Sequence, residues 1–162
     1  MKISYTTLLI LIAATSLASA GEVPKEGTYD YYSCWSGTKS EMKLPGGAVA
    51  QTNEFTGMTH AKTPGTMFDN NSFRCIGSTV TKDKVATGRT ICEAVDADGD
   101  KRYASFVAGE DGKTVRSQIG GTGKFEGLVT TNMTIENMPT PPTIQPGTIQ
   151  GCNHQTGNYK LK

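Results

Sequence analysis

Three turn dipeptides, Asp83-Lys84, Asp98-Gly99 and Asp111-Gly112, each sit between runs of alternating apolar and polar residues. Such punctuation leaves no stretch for a helix of ordinary length and points to antiparallel strands. Asp-Gly suits a type I′ turn, which needs positive φ at both central residues. A two-residue hairpin centred on each dipeptide sets a register. Across the first, Cys75 faces Cys92, Ile76 faces Ile91 and Arg74 faces Glu93. Across the second, Ile91 faces Phe106 and Val95 faces Arg102. Across the third, Phe106 faces Ser117, Ala108 faces Val115 and Ala104 faces Ile119. One face of the resulting meander collects Ile76, Val80, Ile91, Val95, Phe106, Val115 and Ile119. A one-residue slip at any turn would scatter them. The pattern therefore predicts that this aliphatic face is the buried interior and that Thr79, Thr90, Ser105 and Gln118 point away from it.

The same register pairs Cys75 with Cys92 at a position where strands approach most closely, a spacing that accepts a disulfide. Cys34 and Cys152 are left for each other, near the two ends of the chain. A sheet closed into a barrel makes its first and last strands neighbours, which brings that second pair together and removes exposed edges. The expected fold is all-β: a single closed antiparallel barrel, calycin-like or of a related kind, stapled by two disulfides. The run Thr28–Gly37 alternates with Tyr29, Tyr31, Ser33 and Trp35 on one face, which reads as core packing more readily than as a pocket mouth. Pro139, Pro141, Pro142 and Pro146 mark an extended loop or edge segment. Gly157–Leu161 reads as a short last strand.

Residues 1–20 read as a secretory signal, with Lys2, an apolar core from Leu8 to Ala14 and the small-x-small site Ala18-Ser19-Ala20. Residues 21–162 then form one domain. An exported chain with four cysteines favours disulfides, and the expected location is periplasmic or extracellular. The apolar core of the signal is too short to span a bilayer. A formal net charge of +1 gives no footprint for nucleic acid.

Late in the chain, Gly121-Thr122-Gly123-Lys124-Phe125-Glu126-Gly127 resembles the Gly-x-Gly-x-aromatic-x-Gly run of barrels in the allene oxide cyclase and dirigent superfamily. It is also similar to a run in small secreted bacterial proteins with that barrel. The resemblance implies the eight-stranded barrel fold. It implies an isomerase or cyclase activity only as one option, because no catalytic residue of the cyclases can be matched here and one fold hosts many functions.

The motifs that would carry chemistry are incomplete. The Gly120–Lys124 cluster lacks the first glycine and the following Ser or Thr of a phosphate loop. Asp96, Asp98 and Asp100 lack the glycine and glutamate of a calcium loop, whose places hold Lys101 and Val107. His60 and His154, the only two histidines, have no serine elbow to serve. No metal or cofactor is expected, and the chain leans away from enzymes. On the predicted inner face, Arg74 opposite Glu93, together with Arg89 and Phe106, forms the candidate ligand-binding group. The pair would orient a polar head or simply bridge strands. The expected function is a binding module for a small apolar ligand. The alternatives are a structural or interaction barrel with a filled interior, and a cyclase.

Overall fold

The computed structural model describes residues 23–162, so the expected signal at residues 1–20 lies outside the described residues. Eight antiparallel strands follow one another: β1 (Glu26–Lys43), β2 (Val49–Ala61), β3 (Ser72–Lys82), β4 (Val85–Val95), β5 (Lys101–Ala108), β6 (Thr114–Gly121), β7 (Val129–Met138) and β8 (Thr148–Lys160). Their order in the sheet is β6-β5-β4-β3-β2-β1-β8-β7. The last strand is paired along its whole length with the first, from Glu26 to Thr38, and β6 and β7 approach across a seam without a hydrogen-bonded ladder. The sheet is thus a nearly closed barrel. No helix among the described residues is long and apolar enough to cross a membrane.

Both disulfides form as the register requires. Cys75–Cys92 joins β3 to β4 and Cys34–Cys152 joins β1 to β8, each with Cα atoms 4.1 Å apart. The two bridges sit on opposite sides of the wall: Cys75 is buried inside, and Cys34 is exposed outside.

The first hairpin has the expected two-residue turn, with positive φ at Asp83 and Lys84 (49° and 69°), and Cys75, Ile76 and Arg74 have their expected partners. The other two hairpins differ. Asp96 N donates to Asp100 O and Gly109 N donates to Lys113 O, closing three-residue loops in which Gly99 and Gly112 take positive φ (86° and 74°). This is the type I turn plus left-handed glycine arrangement, the next commonest hairpin after the two-residue one. Each longer loop slips the register by one: Phe106 faces Thr90 and Arg116, and Ile91 faces Ser105. The two slips cancel for β6 but carry Phe106 to the other face. Beyond Ala104 a bulge on the β6 side restores the spacing.

The aliphatic face is the outer surface. Ile76, Val115 and Ile119 are 51%, 61% and 56% exposed, and Val80 is exposed with them. Conversely, Thr90 lines the interior, whereas Ser105, opposite Ile91 and Ser117, keeps to the outer face and is covered there by its neighbours. The inner face instead alternates large rings with small residues. A side chain at Gly151 would meet the Trp35 ring, one at Gly57 the Phe73 ring and one at Gly157 the Tyr29 ring. An eight-stranded barrel has room for little more than its own side chains. Rings laid over glycines take up most of that room, while β-branched residues satisfy strand propensity on the outside.

One end of the barrel is plugged. The segment between β2 and β3 folds Met67 and Phe68 inward to join Tyr29, Tyr31, Phe125, Leu128 and Tyr159. Phe68 holds positive φ (68°). It is fixed because Thr59 Oγ1 donates to its carbonyl oxygen (2.5 Å), while Asp69 accepts from Ala61 N (2.9 Å) and Gly65 N (2.8 Å). The Phe68 ring meets Tyr29 edge-on at 5.2 Å and stacks on Phe125 at 6.2 Å. The Gly121–Gly127 motif is therefore structural: it turns the chain so that Phe125 seats on Phe68.

Candidate functional site

Of the four residues expected to form the ligand-binding group, only Phe106 faces the interior, whereas Tyr31, Ser33 and Trp35, read as core packing, line the cavity with it. Arg74 and Glu93 do stand opposite each other, but on the outer surface, because Cys75 and Ala94 beside them point in. Arg74 Nε pairs with Glu54 Oε1 at 2.8 Å and Glu93 Oε1 with Lys101 Nζ at 3.0 Å. The hydrogen bond from Lys101 lowers the Glu93 pKa, and that to Glu54 raises the Arg74 pKa. Arg89 is exposed on the same outer face. These three are surface residues and do not line a pocket inside the barrel.

Above the Phe68 plug lies an interior cavity of about 230 Å³. One part of its wall is apolar: Trp35 from β1, Phe55 from β2, Phe73 from β3, Phe106 from β5 and Ile135 from β7. Trp35 and Phe55 sit 5.7 Å apart, and Phe55 meets Phe73 edge-on at 6.5 Å. The Cys75–Cys92 bridge forms part of the same wall. The other part is polar, with Tyr31, Thr59, Arg102, Asn153 and Gln155. A mostly apolar chamber with a few convergent polar groups is the usual form of a small-molecule site.

Two arginines stand at the polar end. Arg102 and Arg116 are only 5% and 6% exposed. Arg116 is fully dressed: its Nη1 donates to Tyr31 Oη (3.0 Å), which donates in turn to Gln155 Oε1 (2.6 Å). Gln118, oriented as its partners require, turns its oxygen to Arg116 Nε (3.0 Å) and its nitrogen to the Tyr103 carbonyl (3.3 Å). Arg102 is not: its Nε has no hydrogen-bond partner. Its guanidinium carbon lies 4.4 Å from the Phe68 ring centroid, with Arg116 on the same ring at 5.2 Å. No salt bridge among the described residues involves either arginine. Burial, reinforced by the like charge of Arg116 and opposed by Tyr31, pushes the Arg102 pKa down to about 10. It remains protonated at neutral pH. Burial also raises the Tyr29 hydroxyl, against the pull of Arg116.

The sequence reading did not pick out these two arginines. Arg102 alternates with Ala104 and Phe106 along β5, so the same one-residue slip that brought Phe106 inside accompanies them. The remaining polar clusters are structural. Lys124 Nζ occupies the acidic loop, 2.8 Å from Asp96 and 2.7 Å from Asp98, and its backbone N–H donates to Asp100. His154 Nε2 pairs with Asp30 Oδ1 (2.6 Å) and stacks on Tyr32; neither histidine lines the cavity. No group of three or more His, Cys, Asp or Glu among the described residues could hold a metal. Compared with known proteins, the chain matches no family model, no curated protein and no solved structure.

Proposed function

We propose that the chain is an exported, non-catalytic binding barrel that holds a small apolar ligand in its interior. The observation that carries this reading is the cavity itself, walled by Trp35, Phe55, Phe73, Phe106 and Ile135. At about 230 Å³ it is below the ~300–1,000 Å³ range of drug-sized pockets, which suits a ligand smaller than a drug. Two disulfides support an oxidising compartment. The cyclase alternative keeps only the family resemblance behind it, since the Arg74–Glu93 pair stands outside the wall.

Trp35 is the only tryptophan in the chain and lines the cavity, so its emission reports occupancy. Titration with the uncharged probe N-phenylnaphthylamine should change Trp35 emission saturably. Thr90→Phe, which fills the cavity from β4, should abolish the change without unfolding the barrel. No saturable change in the parent protein would favour a filled structural barrel instead.

A further inference from the structure

We infer that Arg102, backed by Arg116, is the head-group subsite of the cavity, and that the ligand is a small apolar molecule bearing a carboxylate. The inference rests on the cavity being a ligand site and goes further by naming the chemistry of its polar end. A buried charge is ordinarily paired or fully hydrogen-bonded. Arg116 meets that rule with neutral oxygens from Tyr31, Gln155 and Gln118. Arg102 lines the cavity with an unpartnered Nε, and the groups against its charge are the face of Phe68 and the neutral hydroxyls of Tyr31 and Tyr29, none of them an anion. Two guanidiniums on one ring with no carboxylate among their partners leave the polar end of the cavity with uncompensated positive charge.

An anion supplied from the cavity is what such an arrangement lacks. Guanidinium presents a planar fork of donors that matches a carboxylate bidentately. Tyr31 and Gln155, tied to Arg116, border the same end and hold it rigid. The aromatic walls then receive the apolar body, with Trp35 and Phe55 alongside it. Arg102 is the one charged side chain that lines the cavity, so an acid with one head and one apolar tail fits, and a diacid does not.

The test uses the purified protein with both disulfides intact and a matched pair of probes, octanoate and octanol, each followed by Trp35 emission. Octanoate is expected to bind about tenfold or more tightly than octanol, since hydrogen bonds to a charged group contribute about 1.5–3 kcal/mol. Arg102→Met should erase that preference while leaving octanol binding within about twofold, because the stem packing is largely kept. If Arg102→Met does not fold, Arg102→Lys takes its place: it keeps the charge without the fork, and the preference should narrow. Equal affinity for acid and alcohol in the parent protein, or an unchanged preference in the variant that folds, overturns the head-group subsite while the cavity reading stands. If neither probe perturbs Trp35, both readings fall together.

Discussion

Arg102→Met should make the ligand-free protein more stable. In the folded barrel burial lowers the guanidinium pKa from its ordinary, much higher value to about 10. Each tenfold change in proton affinity is about 1.4 kcal/mol, so keeping that charge inside costs about 3 kcal/mol. The substitution removes this penalty and also forfeits the contact with the Phe68 ring at 4.4 Å, worth about 0.5–2 kcal/mol. Methionine retains most of the apolar stem. The net gain is about 1–2.5 kcal/mol, a rise of roughly 3–10 °C in Tm for a domain of this size. The assay is thermal unfolding with disulfides intact, in a buffer free of carboxylic acids. The folded pKa is depressed, so the penalty is full below about pH 10 and is relieved as pH rises from there toward the ordinary guanidinium value; the gap between the two proteins should narrow as pH rises above about 10. The groups that face Arg102 are Arg116, Tyr29 and Tyr31, and they are common to both proteins. A fall in Tm equivalent to about 3–5 kcal/mol, the cost of breaking a compensated buried pair, would show that the fold already neutralises Arg102. The argument for an anion would then fail.

Other outcomes follow from the same geometry. Phe68→Ala should cost about 3–5 kcal/mol, as for a buried ring that closes the plug, whereas Val115→Ala on the outer face should stay within about 0.5 kcal/mol; denaturant unfolding separates them. Removing Cys34–Cys152, with its sequence separation of 118, should cost more than removing Cys75–Cys92, separated by 17, because loop entropy predicts roughly 3 kcal/mol for the short loop and nearly 5 for the long one. Paired Cys→Ser variants measure both. Arg74→Met and Glu93→Gln should leave Tm and octanoate affinity unchanged, since both side chains stand in solvent; a loss of binding in either would return the site to the outer face.

What could be read from the sequence was what local chemistry decides. The Asp83-Lys84 turn fixed the β3–β4 register, and with it the Cys75–Cys92 pair. Closure then followed from the leftover cysteines and held, with Cys34 opposite Cys152. Loop length was not legible at Asp98-Gly99 and Asp111-Gly112, because Asp-Gly serves a two-residue turn and a three-residue turn equally well. That ambiguity of one residue decided which face Phe106 occupies. The inside–outside assignment failed for a deeper reason. Alternation says that Ile76 and Cys75 face opposite ways but not which way is in, and the usual rule that aliphatic residues lie inside yields in a narrow barrel. There the aromatic rings of β1 to β3 and the Phe68 plug claim the interior, and glycine makes room for them. Arg102 and Arg116 were hidden by the same rule, since charged residues are almost never fully buried unless paired.

The most direct measurement of the central claim is a crystal structure of the protein grown with an octanoate brominated at its far end, with the bromine located by anomalous scattering. The account predicts the carboxylate within hydrogen-bond distance of Arg102 and the bromine among Trp35, Phe55 and Phe73. Bromine confined to the outer grooves, or the chain reversed with its bromine against Arg102, would contradict it.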